Sequence, residues 1–253
     1  DGIWTAPSDA ALRGDIELSM QAGFNGARLH QKVFEERFYY WGDKLGYLCW
    51  GEYASWGMWE GSPLATRNFL TEWQDILVRD RNHPSIITWT PFNEAWFPDN
   101  VQYPRMMQDT YDLTHAIDPT RPVNTVSGGV LLEEYDICTM HNYEQDPVKL
   151  KNKVYNAETG EFFNYKYNTQ KTRPWNNSPD ALTNTYTQHG DLEPAMYDKE
   201  RPYILDEFGG IKCAETTPAK NGKSSWGYGD AAPTKEDFYK RLESQVNALL
   251  ELG

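Results

Sequence analysis

The sequence has few cysteines, a shortage of positive charge and no long apolar run. Its three cysteines lie far apart and form no CxxC pair, so they support neither a disulfide framework nor a zinc knuckle. With 24 Lys and Arg against 37 Asp and Glu, the net charge is −13, which argues against nucleic acid and anionic lipid as partners. No stretch approaches the roughly 18 apolar residues of a membrane span.

The chain is rich in aromatic residues, and strand-like and helix-like segments alternate along it. Aromatics make up 14% of the 253 residues and supply ample apolar area for a core. Helix starts are marked by Ser8, Pro63 and Thr234. Strands are predicted at residues 24–30, 47–53, 86–92, 122–126, 136–140 and 201–205. This alternation predicts a parallel sheet, either open and doubly wound or closed as a barrel.

A dinucleotide-binding open sheet is disfavoured, and the extent of the domain is predicted separately. The only near match to a phosphate loop, residues 227–232, follows no predicted strand. Residues 144–200 are rich in Asn, Lys, Tyr and Pro without clean periodicity, which predicts a long surface insertion in one domain covering residues 1–253. The chain opens without Met on a polar turn and ends on a helical pattern, so we expect a piece of a larger protein.

Polar side chains follow the predicted strands, where parallel α/β folds carry their catalytic residues. They are Arg28, His30, Glu52, Asn93, Glu94, His141, Tyr143, Asp206 and Glu207. Glu94 and Glu207 stand out because each ends an apolar strand. Two carboxylates flanking one bond are what glycoside hydrolysis requires, one to donate a proton and one to attack carbon or activate water. The simpler alternative is that each is a strand-end glutamate in a surface ion pair.

Several motifs stand in a recognisable order. They are Asn-Gly-Ala-Arg-Leu-His at 25–30, the aromatic stretch 37–50, Arg-Asn-His-Pro-Ser-Ile at 81–86, Phe-Asn-Glu-Ala-Trp at 92–96 and Asp-Glu-Phe-Gly-Gly at 206–210. Together they resemble the catalytic barrel of glycoside hydrolase family 2, the β-galactosidase, β-glucuronidase and β-mannosidase group. The resemblance implies an α/β fold of the TIM (β/α)8 type. Mapped onto eight strands, the first and eighth would be missing, leaving edges at 24–30 and 202–207 through which the chain could self-associate.

The resemblance also implies a role for each site residue. Glu94 would be the acid/base and Glu207 the nucleophile, with their carboxyl groups about 5–5.5 Å apart. Arg28 would keep the nucleophile ionised, Tyr143 would hydrogen-bond it, Asn93 would bind the sugar 2-hydroxyl, and His30 and His141 would line the sugar pocket. The implied activity is that of a retaining β-glycosidase, most like β-galactosidase, acting on a carbohydrate substrate. No cofactor is required, and a structural or activating divalent cation is left open.

One departure and three alternatives accompany this hypothesis. Asp206 stands where many family members have Gly, and strand alternation predicts that its side chain points away from Glu207. The same chemistry could act on β-glucuronides or β-mannosides. A catalytically inactive carbohydrate-binding fragment is a further alternative. A metal-dependent hydrolase is disfavoured, because neither His-x-His nor His-Glu-x-x-His occurs.

Overall fold

The computed structural model describes residues 5–58, 62–95, 102–129, 131, 134–162, 199–215 and 226–252. The helices are α1 (Asp9–Gln21), α2 (Glu36–Leu45), α3 (Pro63–Asp80), α4 (Gln102–Ile117), α5 (Pro147–Val154) and α6 (Lys235–Leu250). The strands are β1 (Gly26–Arg28), β2 (Leu48–Glu52), β3 (Ile86–Thr90), β4 (Phe92–Asn93), β5 (Val126–Ser127), β6 (Cys138–Asn142), β7 (Tyr155–Asn156), β8 (Glu161–Phe162), β9 (Tyr203–Phe208), β10 (Ile211–Cys213) and β11 (Tyr228–Ala232).

Helix capping fixes where three of the helices begin, as predicted. The side chain of Ser8 accepts a hydrogen bond from the Ala11 N–H and caps α1. The side chain of Thr234 caps α6 in the same way by accepting from Asp237 N–H. Pro63 occupies the first turn of α3, where its missing N–H costs nothing. Residues next to each boundary therefore mark where these helices begin.

The larger strands pair in parallel. β1, β2 and β3 form one three-stranded sheet in that order. After Pro91 the chain continues as β4, which pairs with β5, and a bridge between Trp89 and Val123 extends this pairing. β6 pairs with β9, and Asp136 donates its backbone N–H to Val123, which places β6 beside β5. The carboxyl ends of all these strands therefore lie at one end of the fold.

Within the described residues the sheet does not close into a barrel. β1 pairs only with β2, β9 pairs only with β6, and β1 and β9 do not pair with each other. The two strands predicted to be edges thus each have one free side in this part of the chain. The absence of a first and an eighth strand stays a prediction, and so does self-association through these edges.

An aromatic core supports the strand that leads to Glu94. Trp73 on α3 and Trp89 on β3 are fully buried and meet edge to face, with ring centroids 5.8 Å apart. Phe69 stacks on Phe92 with centroids 4.7 Å apart. The Trp73 indole N–H donates to Thr114 Oγ1 at 2.8 Å, which satisfies the polar atom inside the core. Residues 86–93 are therefore packed against the α3 side of the core just below the site.

The segment predicted as an irregular insertion begins with regular structure. Asp146 caps α5 by accepting from the Lys149 N–H, Pro147 occupies the first turn, and Leu150 and Val154 are buried one turn apart. A two-turn helix presents only two apolar positions, which is too short a pattern for periodicity to reveal. The antiparallel pair β7 and β8 follows, and residues 163–198 lie outside the described part of the chain.

None of the helices in the described ranges combines the length and the apolar character needed to cross a membrane.

Candidate active site

The site lies at the carboxyl ends of the parallel strands, where the sequence predicted it. The structure brings together all seven predicted site residues in one network of contacts: Arg28, His30, Asn93, Glu94, His141, Tyr143 and Glu207. Sequence separations within this network reach 179 residues, between Arg28 and Glu207. The parallel pairing of β1, β2, β4, β6 and β9 is what makes these distant residues neighbours.

Glu94 directly follows β4 in an unusual backbone conformation. Its φ of 47° lies in the left-handed region, which a residue with a Cβ adopts at a cost and which is concentrated at functional sites. Its backbone N–H donates to the Ser127 carbonyl at 2.7 Å, so pairing with β5 holds this conformation. Its carboxylate is 13% exposed, and Oε1 lies 2.9 Å from His141 Nδ1.

Glu207 on β9 is anchored by both of its carboxylate oxygens. Oε1 accepts from the Arg28 guanidinium, and Oε2 accepts from the Tyr143 hydroxyl. A cation and a hydroxyl donor each stabilise negative charge, so these contacts favour the ionised carboxylate. Burial, followed by the negative charge of Glu94, raises the pKa of Tyr143, so this phenol keeps its proton and acts as a donor.

The two glutamates face each other across a short gap. One carboxylate oxygen of Glu94, one of Glu207 and one ring nitrogen of His141 all lie within 4.8 Å of one another. This upper bound on the gap between the two oxygens is shorter than the roughly 6.5–9.5 Å between carboxyl groups in inverting glycosidases, and it is compatible with the about 5–5.5 Å in retaining ones. Carboxylates and imidazole are also metal donors, but all three groups already have hydrogen-bond partners, so the arrangement does not by itself indicate a metal.

Arg28 is the cation at the centre of the network. Its side chain is only 7% exposed. One terminal nitrogen contacts Glu52 and lies 3.2 Å from Asn93 Oδ1, and the other contacts Glu207. Glu52 is fully buried and accepts the backbone N–H of Gln31 at 2.8 Å. The sequence marked Glu52 only as a strand end, whereas the structure shows that it anchors Arg28.

Asn93 presents an unused donor to the site. The residue is 1% exposed, and its Nδ2 has no hydrogen-bond partner in the described part of the structure. Its backbone carbonyl accepts from the indole N–H of Trp56 at 2.9 Å. The Trp56 ring is 59% exposed and lies edge to face with His30, at 6.0 Å between centroids. His30 and Trp56 thus form an accessible wall beside an orphaned donor.

A second aromatic wall lies beside Glu207. The Tyr143 ring stacks on Tyr228 at 3.9 Å, with the two planes 5° apart. Trp226 meets Tyr228 edge to face and is 80% exposed. Gly210 makes room for this wall, because a Cβ at that position would lie 2.6 Å from the Tyr228 ring. Sequence reasoning assigned no role to Tyr228 or Trp226.

The predicted outward orientation of Asp206 is wrong. Its side chain is only 3% exposed and lies inside the site, with Oδ2 2.7 Å from Ser127 Oγ and Oδ1 3.4 Å from His141 Nε2. The register between β6 and β9 shifts at this point, because His141 lies opposite Glu207 while Met140 lies opposite Leu205. Such a bulge turns two successive side chains to the same face.

Comparison with known families decides where the chain belongs. Residues 6–213 match the family described as glycosyl hydrolases family 2, TIM barrel domain. The chain belongs to glycosyl hydrolases family 2. Its fold is therefore of the TIM-barrel type, although the described strands form no closed barrel.

Curated relatives of this family 2 chain carry two different names. A protein of Formosa agariphila named as a candidate beta-glucuronidase is 34% identical over 130 residues, which is 47% of this chain and 15% of that protein. A beta-galactosidase of Pseudoalteromonas haloplanktis is 30% identical over 152 residues, covering 57% of this chain and 14% of that enzyme. The chain thus spans about one seventh of these relatives.

Solved structures support the fold of this family 2 chain. A beta-D-glucuronidase structure from Dictyoglomus thermophilum aligns with 96% of this chain and 39% of its own, with a TM-score of 0.59 and 17% identity. A family 2 beta-galacturonidase from Eisenbergiella tayi, bound to galacturonate, aligns with 95% of this chain and 37% of its own, with a TM-score of 0.62 and 18% identity. At these identities the likeness concerns the fold alone.

Proposed function

We propose that the chain forms the catalytic barrel of a retaining β-glycosidase that works by double displacement, with Glu207 as nucleophile and Glu94 as acid/base. The observation that carries this proposal is the pair of facing glutamates with different partners. Glu207 contacts a buried guanidinium and a phenol, whereas Glu94 contacts His141. Family 2 membership supports a β-glycosidase, and the short gap between the carboxylates supports retention over inversion.

The partners of the two glutamates support this assignment of roles over its reverse. The contact with Arg28 favours an ionised Glu207, which a nucleophile requires. In the described part of the chain, the ion-pair partner of Glu94 is the imidazole of His141, and no Lys or Arg contacts this carboxylate. This difference in partners favours Glu94 for the acid/base role, in which a carboxyl group carries a proton in one step and loses it in the next.

In the first step, a Glu207 oxygen attacks the anomeric carbon of the sugar while Glu94 gives its proton to the leaving oxygen. The bond from the anomeric carbon to the leaving oxygen breaks, and a glycosyl ester forms on Glu207. In the second step, Glu94 takes a proton from water, the water oxygen attacks the anomeric carbon, and the Glu207 carboxylate leaves. Two inversions give net retention.

The remaining groups would hold the sugar. The unpartnered Nδ2 of Asn93 is a donor placed to bind a sugar hydroxyl beside the reacting carbon. The wall formed by His30 and Trp56 and the wall formed by Tyr143 and Tyr228 can pack against the apolar faces of a pyranose. Aromatic walls with a few fixed polar groups are the usual construction of a small-molecule site.

We favour a neutral sugar such as β-galactose, with β-glucuronides as the second candidate and β-mannosides as a third. A uronic acid carries a carboxylate and needs a cation. Arg28, the cation of the described site, is already contacted by Glu52 and Glu207. The name of the Formosa protein favours the glucuronide alternative, which would require a cation besides Arg28.

The proposal includes an eight-stranded barrel whose first and eighth strands lie between β9 and β1. Each of these strands has one unpaired side in the described part of the chain, which is what such a gap would leave. Unpaired strand edges invite pairing with other segments or with a second chain. Without those strands the site could bind sugar and fail to turn it over, which is the carbohydrate-binding alternative.

The test is hydrolysis of a panel of nitrophenyl β-galactoside, β-glucuronide and β-mannoside by the full-length protein, with the matching α-glycosides as controls. Nuclear magnetic resonance should show a β-configured first product. A 2-deoxy-2-fluoro-β-glycoside of the best sugar should inactivate the enzyme and label Glu207 in peptide mapping. A label on Glu94, or a product of inverted configuration, would overturn the assignment. Sugar binding without turnover would support the carbohydrate-binding alternative.

A further inference from the structure

Asp206 is a buried acid that the proposed double displacement does not use. Its side chain is 3% exposed. Oδ2 contacts the Ser127 hydroxyl, and Oδ1 has no hydrogen-bond partner in the described part of the structure. A buried ionised carboxylate needs several donors to offset the loss of water, and a single hydroxyl does not supply them.

Arg28, the cation nearest to Asp206, already forms hydrogen bonds to two other carboxylates. Arg28 forms hydrogen bonds to Glu52 and Glu207 through its terminal nitrogens, whereas its Nε lies 3.5 Å from Asp206 and forms no hydrogen bond. Three acids therefore share one guanidinium, and Asp206 has the weakest contact with it. Burial raises the pKa of Asp206, and the charges of His141 and Arg28 and the bond from Ser127 oppose that rise only in part.

We propose that Asp206 is held as a neutral carboxylic acid and, through Ser127, positions His141 against Glu94. Three short distances form the connection: 2.7 Å from Asp206 Oδ2 to Ser127 Oγ, 2.9 Å from Ser127 Oγ to His141 Nε2, and 2.9 Å from His141 Nδ1 to Glu94 Oε1. A neutral Asp206 donates its O–H to Ser127, whose own O–H then donates to Nε2. The ring proton is thereby placed on Nδ1, where it donates to Glu94.

An ionised Asp206 would reverse the direction of the hydrogen bonds that join Asp206, Ser127 and His141. A carboxylate only accepts, so the Ser127 O–H would point to Asp206, and Nε2 would carry the ring proton. The charged and titratable groups that face Asp206 are Arg28 on β1, His141 on β6 and Glu207 on its own strand, with Glu52 beyond Arg28 and Glu94 and Tyr143 beyond His141. Three of these, Glu207, Glu52 and Glu94, are carboxyl groups, which favours the neutral form of Asp206.

The positioning role rests on the proposed function. An N–H from His141 fixed on Oε1 of Glu94 leaves Oε2 to give a proton to the leaving oxygen and later to take one from water. A neutral Asp206 also avoids placing a second buried negative charge beside the nucleophile Glu207. In this way the bulge that turns Asp206 inward is compatible with an ionised Glu207.

The protonation state is tested by stability, independently of activity. A carboxyl whose pKa is raised on folding must take up a proton above its unfolded value of 3.8, so it lowers stability as pH rises from there through the folded pKa. Asp206→Asn removes this requirement and retains a donor for Ser127. We expect Asp206→Asn to raise the melting temperature of the full-length protein by about 2–4 °C at pH 7, with the gain vanishing towards pH 4.

The matched control is Asp118→Asn, which alters an equally buried aspartate that is saturated with hydrogen bonds. That variant should lower the melting temperature at pH 7. If Asp206→Asn lowers it as well, Asp206 is an ionised partner of Arg28 and the proposal is wrong.

The positioning role is tested by the pH dependence of kcat/KM. Asp206→Asn, which keeps a neutral donor to Ser127, should lose less kcat/KM than Asp206→Ala, which removes that donor, and both limbs of the pH profile should remain. Ser127→Ala breaks the connection and should lower kcat/KM by about 10- to 100-fold, more for poor leaving groups than for nitrophenolate. Equal losses in Asp206→Asn and Asp206→Ala would show that the charge of Asp206 is what matters, and the positioning role through Ser127 would be wrong. A wild-type enzyme without glycosidase activity would refute the proposed function, and the melting comparison would still decide the protonation state.

Discussion

A buried aspartate lies at each end of the strands, and the two aspartates differ in the number of their hydrogen-bond partners. Asp118, at the amino end, accepts from the Trp89 indole at 2.8 Å, from Thr120 at 2.5 and 3.1 Å, and from Arg121 at 2.6 Å. Burial alone would raise its pKa, but these hydrogen bonds lower the pKa to about 2. Asp206, at the carboxyl end, has Ser127 as its hydrogen-bond partner.

The arginines beside these aspartates differ in the same way. Arg121 donates to Asp118 and to the carbonyls of Arg81, His83 and Ile86, at 2.6–2.9 Å, so its guanidinium links the start of β3 to the turn before β5. Arg28 is shared among carboxylates, and its Nε lies 3.5 Å from Asp206 without forming a hydrogen bond. The hydrogen-bonding groups of Asp118 and Arg121 at the amino end are paired within the fold. The carboxyl end keeps excess acid and unused donors, as is typical of a ligand site.

Glu207→Ala should have the largest effect at the carboxyl end, and it should abolish turnover without lowering stability. Loss of the nucleophile should lower kcat by more than about 10⁴-fold, beyond the range of general acid–base catalysis. Azide should restore a product of inverted anomeric configuration, because it can attack from the vacated side. Stability should be unchanged or higher, since one of several crowded negative charges is removed. Kinetics with thermal melting checks both parts, and an unfolded variant would show that the carboxyl end is structural too.

Glu94→Ala should have the second largest effect, and the loss of kcat/KM should depend on the leaving group of the substrate. Removing the acid should lower kcat/KM by about 10²–10⁴-fold for alkyl glycosides, which need protonation of the leaving oxygen. Activated nitrophenyl glycosides should lose far less in the first step. The measurement is kcat/KM across a series of aryl glycosides with different leaving-group acidity. A loss of the same size for every leaving group would argue against Glu94 as the acid.

Asp118→Asn should show the opposite profile, with stability lost and turnover kept. A pKa lowered from 3.8 to about 2 contributes about 2 kcal/mol to the free energy of unfolding at pH 7. This contribution is present above pH 4 and is lost as pH falls through about 2, where the native carboxylate takes up a proton. Urea denaturation at several pH values should show the deficit of the variant shrinking below pH 4. A deficit that does not change with pH would mean that lost packing, and not charge, is the cause.

Sequence and structure agree where local chemistry decides the outcome. Each predicted strand segment contains a strand or bridge of the sheet, and the caps at Ser8 and Thr234 begin helices. Strand-end residues could be predicted to meet, because parallel strands bring their carboxyl ends to one edge. Their catalytic roles came from the family resemblance and stay predictions.

The features of the site that the sequence did not predict depend on contacts between residues that are distant in sequence. The side chain of Asp206 turns inward because β9 shifts register against β6, and no pattern within β9 records that shift. Ser127 is a small uncharged residue without a motif, yet it connects His141 to Asp206. Glu52 could be placed at a strand end, but its pairing with Arg28 across 24 positions appears only in three dimensions.

Trp56→Phe should give the smallest effect and tests whether even a single hydrogen bond at the carboxyl end serves the ligand. The indole N–H donates to the Asn93 carbonyl at 2.9 Å, and the ring is 59% exposed. A net hydrogen bond contributes about 0.5–1.5 kcal/mol, so we expect kcat/KM to fall by about 2- to 12-fold. The loss should lie mainly in KM if the bond sets the position of the Asn93 donor for the sugar. The melting temperature should stay within about 1–2 °C of wild type, because Trp56 is largely exposed and Phe keeps most of the ring area. A large drop in melting temperature with unchanged KM would instead place Trp56 with Asp118 among the residues that hold the fold.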